Sequence, residues 1–339
     1  MVNLTDLKDR IEQEFLNLTF DVSEWEEVLE STSDVPIYYQ KSLIDYYTAY
    51  YEGSNLSFIL RENNIPLAIF PFFVYQNEGQ WVLSVNGESL VPPLYAPKIT
   101  KKLRKRLEKD IIKIIYQLAQ ELGVKKIDFI ESTSKISSWY LFWLEQASQD
   151  YLTYHLGIDL EPSVEEIRLN FRKSYKPLVN KALKEWDVEV CDQIESSSFD
   201  EFKSLHLEVA GRKTRNDESW DVQKQQIINK EAFLITVRDK KALIGAGLFN
   251  YSRDVGMYSV GAYKRELFDK PIGHAVQMKA VEKLKNLGCS KYYLGKRASS
   301  LYIQPSSEKE FSISHFKEGF ANYIYPCLLY TSDAADDKQ

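Results

Sequence analysis

The sequence is poor in the residues that build metal centres and disulfide frameworks. It has 3 Cys, 4 His and 3 Met among 339 residues. Cys191, Cys289 and Cys327 lie far apart, with neither metal-ligand spacing nor a disulfide pattern. The sequence also assembles no Ser-His-Asp order and no Cys-His pair. We therefore expect no metal cofactor, no disulfides and a reducing, cytoplasmic environment.

The sequence also lacks long apolar runs and a strong basic charge. No apolar run approaches the roughly 20 residues that span a bilayer. Met1–Ile11 is charged and amphipathic, which predicts a helix and not a signal peptide. The net charge of −6 gives no global attraction for nucleic acid. With 44% hydrophobic and 27% charged residues, the composition is typical of a globular protein, and 339 residues are enough for two domains. The sequence leaves the oligomeric state open.

The last thirteen residues, Cys327–Gln339, differ in character from the rest of the chain. This segment resembles translated read-through of a transposase-based sequencing adapter. The alternative is a genuine acidic tail. We expect read-through, so the natural sequence would diverge after about Pro326.

A strand, strand, strand, helix, strand series occurs twice. The first copy is predicted at Ser57–Arg61, Pro66–Tyr75, Gln80–Val85, a helix over about Thr100–Leu122, and Lys125–Ile130. The second is predicted at Ala232–Val237, Ala242–Tyr251, Val255–Val260, a helix over about Ile272–Leu287, and Lys291–Leu294. Both helices show apolar residues at 3.6-residue spacing. Repetition of a whole supersecondary unit indicates two domains of one design.

The segment between the copies predicts a strand and a helix. Tyr154–Leu160 is predicted as a strand, and Ser163–Tyr175 as a helix. Ser163 and Glu166 have the spacing of a capping box. Pro177 interrupts or restarts this helix. We place the domain boundary here, with domains at 1–160 and 161–326.

A dense polar run, His206–Gln223, precedes the second copy. It contains Gly211, Arg212, Lys213, Arg215, Trp220 and Gln223. Forked guanidinium groups bind phosphate or carboxylate well, and loops between rigid elements often bind ligands. The bland alternatives are a solvated loop and a tryptophan that fills the core. We predict that Gly211, Arg212, Arg215, Trp220 and Gln223 bind substrate.

Three segments together carry a family resemblance: Phe171-Arg-Lys-Ser-Tyr-Lys176, the run from Gly211 to Gln223, and Phe316-Lys-Glu-Gly-Phe320. With the repeated unit, the chain resembles the FemAB-like branch of the tandem GNAT acyltransferases over most of residues 20–326. The resemblance implies an α/β (α+β) fold of two tandem GNAT-like domains. Each would be a mixed, mainly antiparallel sheet flanked by helices.

The same resemblance implies the reaction. FemAB-like proteins transfer aminoacyl groups from charged tRNA to cell-wall precursors, and relatives acylate sugar amino groups with acyl-CoA. We expect an acyl-CoA-dependent N-acyltransferase acting on an amino sugar or cell-envelope precursor, free or linked to a lipid or nucleotide. One alternative is a tRNA-dependent aminoacyltransferase, which alone would make nucleic acid a partner. The other is a non-catalytic double-GNAT module that binds a nucleotide or sugar.

The donor site implied by the resemblance is Lys270-Pro-Ile-Gly-His-Ala275. GNAT proteins carry a glycine-containing, phosphate-binding loop at this place. Lys270, Gly273 and Ala275 match that pattern, and His274 departs from it. Helix N-termini attract anions, although the same residues also suit an ordinary helix start. The matching loop of the first copy, Pro92–Pro97, has no glycine, so we expect only the second copy to bind donor.

Catalytic candidates follow from side-chain chemistry. His206 is a candidate general base because its ordinary pKa lies near neutrality, although a packed histidine is the commoner reading. Glu208 is a second candidate. Tyr258 or Tyr292 would donate a proton to the leaving group.

Two basic stretches are read as surfaces. Lys101–Arg106 opens an amphipathic helix and is expected to be solvated. A stripe on the linking helix would be a wet face or a platform for a nucleotide, tRNA or lipid-linked phosphate. It comprises Arg168, Arg172, Lys173, Lys176, Lys181 and Lys184.

Overall fold

The computed structural model describes residues 20–132, 137–193, 195–302 and 305–333. The chain forms two compact units, the first of residues 1–152 with 326–339 and the second of residues 153–325. The boundary at residue 160 stays a prediction for the domains. The helix predicted at Met1–Ile11 lies outside the described residues.

The described residues hold ten α-helices, none long and apolar enough to cross a membrane. The helices are α1 Val22–Ser31, α2 Lys41–Tyr50, α3 Lys101–Leu122, α4 Ser138–Gln146, α5 Val164–Leu169, α6 Tyr175–Glu185, α7 Ser196–Ala210, α8 Asp217–Ile228, α9 Ile272–Asn286 and α10 Glu308–Glu318. The strands are β1 Ser54–Asn55, β2 Phe58–Glu62, β3 Ile65–Phe70, β4 Phe73–Asn77, β5 Gln80–Ser84, β6 Leu94–Tyr95, β7 Lys126–Ser132, β8 Gln149–Asp159, β9 Asp187–Cys191, β10 Ala232–Asp239, β11 Ala242–Tyr251, β12 Val255–Tyr263, β13 Lys291–Lys296 and β14 Tyr323–Asp333. Short 3-10 helices lie at Ile37–Tyr39 and Arg265–Leu267.

The first unit contains two three-stranded sheets, ordered β2-β3-β6 and β1-β4-β5. The prediction of one strand over Pro66–Tyr75 is therefore wrong, because β3 and β4 belong to different sheets. The strand breaks at Pro71, which has no N–H to donate to a ladder.

Helix α3 confirms its predicted boundaries and buried face. The hydroxyl of Thr100 accepts a hydrogen bond from the amide of Leu103 at its start, and Gly123 ends it at φ 66°. That left-handed conformation suits glycine. Its apolar side, including Ile111 and Leu118, packs in a core with Trp139 and other aromatic residues.

The second unit has a mixed, mainly antiparallel sheet ordered β8-β13-β12-β11-β10-β9. Successive side chains of a strand point to opposite faces. On β10, Phe233 lies in the core that holds α5, α6 and α9, whereas Leu234 lies in the core under α7 and α8. This helix-flanked sheet confirms the predicted fold class.

The linking helix is shorter than predicted. The capping box of Ser163 and Glu166 is confirmed. The helix ends at Leu169 and not near Tyr175, where α6 begins. Pro177 lies in the first turn of α6, a place where the missing N–H costs little. Proline therefore restarts the helix here.

The segment predicted as read-through contributes part of β14. Residues Cys327–Asp333 pair antiparallel with Lys126–Ser132 of β7. The ring of Tyr330 stacks on Phe129, with centroids 5.4 Å apart. Residues 334–339 lie outside the described part of the chain. The read-through origin of the segment stays a prediction.

Candidate active site

A V-shaped opening between two parallel strands is the main irregularity of the second unit. Strands β12 and β13 pair only where Val255–Met257 meets Lys291–Tyr293. Beyond that, β12 continues to Tyr263 and β13 to Lys296 without further pairing to one another. The divergence leaves room between two rigid strands, where a substrate group can lie against backbone.

The side chain of Lys317, from α10, lies at this opening. Its Nζ is 5.6 Å from the centroid of the Tyr258 ring on β12. A β-carbon at Gly295 on β13 would be 3.1 Å from the same nitrogen, so the glycine leaves space for the ammonium. Burial lowers the pKa of Lys317 to about 8. Among the residues that the structure describes, no carboxylate pairs with it.

Two tyrosine hydroxyls meet beside Lys317. The hydroxyls of Tyr258 and Tyr263 are 3.0 Å apart and hydrogen bonded. Burial raises the pKa of Tyr258 to about 12 and that of Tyr263 well above its usual value. Both side chains are therefore phenols at neutral pH and can donate protons. A side chain at Gly261 would overlap the Tyr258 hydroxyl.

A β-bulge lies on the same strand. Leu248 pairs with Val260 and Phe249 with Tyr258, so Ser259 is the extra residue of β12. Its hydroxyl donates to Oδ1 of Asn250 at 2.6 Å, and Nδ2 of Asn250 donates to Gln226 at 2.9 Å. Bulges re-aim the groups of a strand, often next to active sites.

Two of the three resemblance segments meet the predicted donor loop around His274. The centroid of its ring lies 4.4 Å from that of Tyr175, 5.3 Å from that of Phe316 and 5.6 Å from that of Phe320. The Tyr175 hydroxyl donates to the carbonyl of Phe316 at 3.2 Å, and a side chain at Gly319 would overlap the Tyr175 ring. This cluster fixes α10 against the start of α9.

His274 itself is neutral in this setting. Both ring nitrogens are buried without a hydrogen-bond partner among the described residues. Burial, then the nearby charge of Arg172, lowers the pKa of His274 to about 4. The histidine that departs from the GNAT pattern therefore packs within an aromatic cluster.

The other predicted donor residues surround the start of α9. Lys270 is exposed and pairs with Asp269 at 3.0 Å. A β-carbon at Gly273 would lie 3.0 Å from the Phe316 ring and 3.6 Å from Tyr263. Ala275 is fully buried. Gly273 thus connects the donor loop to the tyrosines of the strand opening.

The predicted substrate run lies on the α7 and α8 side of the sheet. An N–H of Arg215 donates to Nε2 of His206 at 2.7 Å, because arginine has no acceptor. Burial, then Arg215, lowers the pKa of His206 to about 4. Trp220 is 4% exposed and packs with Phe202. These contacts favour packing roles for His206 and Trp220.

Other members of the run differ in exposure. Gly211 ends α7 at φ 69°, and Arg212 and Glu208 are exposed. Gln223 is 1% exposed, and its Oε1 has no partner among the described residues. A buried amide oxygen without a donor is costly, so Gln223 is well suited to bind a ligand.

Of the remaining candidates, Tyr292 and Arg172 make hydrogen bonds to other side chains. The Tyr292 hydroxyl is buried and donates to Gln277 at 2.6 Å. Arg172 donates to Nε2 of His315 at 2.9 Å, whereas Lys173, Lys181 and Lys184 are exposed. Within the described ranges, no group of three His, Cys, Asp or Glu residues is arranged to hold a metal ion.

Lys317, Gly295 and Tyr263 were missed as individual site residues in the sequence. Lys317 lies inside the quoted segment Phe316–Phe320. A lysine between two aromatic residues and a glycine was its available signal, because such neighbours imply burial. Gly295 carries no signal of its own, since its role depends on a strand divergence that only the fold reveals.

Comparisons with known proteins identify the fold. FemX superposes with a TM-score of 0.64 at 11% identity, covering 92% of this chain and 96% of that chain. L-PGS from Bacillus licheniformis gives 0.61 at 12% identity, covering 95% of each chain. A tandem GNAT protein from the clavulanic acid biosynthesis pathway gives 0.55 at 10% identity, covering 94% and 96%. No protein-family model matches, and a search of curated proteins found no significant match.

Because the sequence identities are low, these structural similarities show the fold but not a shared reaction. They extend over both repeats and nearly the full length of each solved structure. The chain therefore has a FemAB-like tandem GNAT fold.

Proposed function

We propose that the second unit transfers an acyl group to an amine at the opening between β12 and β13. The observation that carries this proposal is Lys317, a half-buried ammonium with a pKa near 8 and no carboxylate partner among the described residues. A buried charge without an ion pair is costly to the fold. Perturbed groups of this kind cluster at functional sites.

The chemistry needs a neutral amine, a stabilised oxyanion and a proton for the leaving group. The amine nitrogen forms a bond to the acyl carbon, and the carbonyl oxygen gains negative charge. The Lys317 ammonium stabilises that charge, with strand amides at the Ser259 bulge as further donors. Charge stabilisation inside a water-poor site is usually the largest catalytic term.

Collapse of the tetrahedral intermediate breaks the bond to the leaving group. For a thioester, the electron pair goes to sulfur, and the Tyr258 phenol supplies its proton. The proton that the nitrogen loses restores the phenol. Tyr263, bonded to Tyr258 at 3.0 Å, holds this hydroxyl in place.

The donor in this proposal is acyl-CoA. Lys270, Gly273, His274 and Ala275 surround the start of α9, where backbone N–H groups favour a phosphate. Arg172 adds a positive charge close enough to lower the pKa of His274. These cations support an anionic donor, and the resemblance to FemAB-like proteins supports acyl transfer.

The acceptor is an amino sugar or a cell-envelope precursor. In this proposal, Gln223 and the exposed Arg212 bind it, with Gly211 and Arg215 shaping the loop. The orphan amide oxygen of Gln223 would accept an N–H or O–H of the acceptor. The cell-envelope role rests on the resemblance, and the cytoplasmic location on the pattern of cysteines.

The donor is tested by offering acetyl-CoA or charged tRNA with glucosamine and detecting product by mass spectrometry. We expect transfer from acetyl-CoA, and a KM for acetyl-CoA raised several-fold in Lys270→Glu. Lys241→Glu, an exposed charge reversal in the turn before β11, is the matched control and should leave KM unchanged. Transfer from tRNA alone would replace the donor, and sugar binding without any transfer would show a binding module instead.

A further inference from the structure

A cavity of about 420 Å³ lies on α10 and the loop that follows β13. Its polar lining includes Arg297, Ser299, His315 and Glu318, and its apolar lining includes Phe311. We call this cavity the α10 pocket. It belongs wholly to the second unit.

The α10 pocket and the donor loop lie on opposite faces of α10. Phe316 and Phe320 pack against His274 at the start of α9. Phe311 and Glu318 line the pocket, and helical periodicity puts them about half a turn away from that aromatic face. Lys317 lies between the two faces. A ligand in the pocket is therefore separate from a donor at α9. Lys317 is the sequence neighbour of both Phe316 on the aromatic face and Glu318 in the pocket.

The pocket is rich in hydrogen-bond donors. Nε of Arg297 contacts Glu318 at 2.8 Å, and its terminal nitrogens have no other ionic partner among the described residues. Arg172 donates to Nε2 of His315 at 2.9 Å, so a neutral His315 carries its proton on Nδ1. The serine hydroxyls of the loop add further donors.

The lining of the pocket holds one guanidinium and one carboxylate. Its one carboxylate, Glu318, is engaged by Arg297 and by the hydroxyl of Ser314 at 3.4 Å. Arg172, outside the lining, brings a second guanidinium close to the pocket through its contacts to His315. Forked guanidinium groups match the planar oxygens of a carboxylate or phosphate.

We propose that the α10 pocket binds an oxyanion group, phosphate or carboxylate, carried by the acceptor amine. The inference rests on the proposed function and defines its substrate class: an amine with an anionic substituent. Phe311 and Leu301 would cover the apolar face of the same molecule. Arg297 replaces its contact to Glu318 by one to the ligand.

The test compares glucosamine, glucosamine 6-phosphate and muramic acid, which carry no anion, a phosphate and a carboxylate. Binding to the full chain is measured by calorimetry without donor. At least one anionic probe should bind about tenfold more tightly than glucosamine, the range expected for a charge-assisted hydrogen bond. Which probe benefits identifies phosphate or carboxylate.

Two substitutions should act with opposite signs. Arg297→Ala should remove the preference for the anionic probe. Glu318→Gln should tighten that probe about threefold, because Arg297 loses its competing carboxylate while the glutamine oxygen still accepts from Ser314. The double variant leaves no unpaired carboxylate and should behave like Arg297→Ala. Arg253→Ala, which removes an exposed arginine paired to Asp254, is the control.

The outcomes separate this inference from the proposed function. Loss of the preference in Arg297→Ala, together with acyl transfer to glucosamine by the wild-type chain, supports both. The same loss in calorimetry, with no acyl transfer by any variant, supports the pocket and rejects the proposed function. Equal affinity for all three probes, or weaker anion binding in Glu318→Gln, overturns the pocket.

Discussion

Two buried charges, one in each unit, lie in opposite surroundings. In the first unit, the carboxylate of Glu108 is 4% exposed and hydrogen bonded. It contacts Arg104 at 3.0 Å and accepts from Ser138 at 2.8 Å. In the second unit, Lys317 lies over the ring of Tyr258, with no carboxylate beside it among the described residues. A satisfied buried charge stabilises its surroundings, whereas an unsatisfied one costs stability and is available to a substrate.

The two repeats also differ in the continuity of their sheets. Pro71 divides the first repeat into two small sheets, and its loop Pro92–Pro97 contains no glycine. The second repeat keeps one sheet, with a bulge at Ser259 and an opening between β12 and β13. In the first repeat, the matching contact is a single parallel bridge between Leu90 and Phe129. In our proposal, the second unit carries the chemistry and the first serves as its scaffold.

The largest expected effect is on Lys317. Replacing it by methionine should lower kcat about 10²- to 10³-fold, because the oxyanion loses its charged donor. The same substitution should raise Tm by about 2 °C, since a half-buried charge without an ion pair is removed. Steady-state kinetics and thermal unfolding measure the two effects.

Two further variants make the role of Lys317 specific. The wild-type rate should fall as pH rises through about 8, where Lys317 loses its proton. Lys317→Arg stays charged and should lack this alkaline limb. Lys105→Met, an exposed lysine of α3 in the first unit, should change neither kcat nor Tm. A fully active Lys317→Met would end the assignment of chemistry to the second unit.

Glycine substitutions should produce the next largest effect and again separate the units. A side chain at Gly319 would overlap the ring of Tyr175, so Gly319→Ala should cost about 2 kcal/mol or more of unfolding free energy. Gly123→Ala has open space around it and only a φ of 66° to oppose it, which costs about 1 kcal/mol. Denaturant unfolding of both variants measures the difference. Equal losses would show that Tyr175 yields easily.

Much of the fold was predictable because local rules govern it. Apolar spacing, Thr100 and Gly123 defined α3, and Ser163 with Glu166 defined the start of α5. The break at Pro71 was not predicted. The separation of β3 and β4 into different sheets depends on non-local pairing, which the apolar run over Pro66–Tyr75 does not report.

The candidate site was less predictable. The sequence marked His206 as a candidate base and Trp220 as a substrate-binding residue. The structure places them against Arg215 and Phe202, and their roles stay predictions. Tyr258 lies on a strand, as predicted. Its catalytic role stays a prediction. The place of Lys317 in the site depends on the divergence of two strands and on Gly295, and no rule of residue spacing predicts either feature.

The smallest expected effect is a pair of opposite pH slopes. In the first unit, burial raises the pKa of Glu131 to about 7 from an ordinary 4.5. The folded unit then binds the proton more tightly than the unfolded chain, so its stability is lost as pH rises from about 4.5 to 7. In the second unit, burial lowers the pKa of His155, His206 and His274 to about 4 from 6.5. Its stability is lost as pH falls from about 6.5 to 4.

Amide hydrogen exchange between pH 4 and 7 measures both slopes when β7 and β11 report on their own units. We expect protection of β7 to decrease with rising pH and protection of β11 to increase, each by about 1 kcal/mol after correction for intrinsic exchange. Glu131→Gln should flatten only the first slope, and His206→Gln should reduce only the second. Slopes of the same sign in both units would mean that the two folds open together, and the division of labour drawn from their buried charges would then lack its thermodynamic basis.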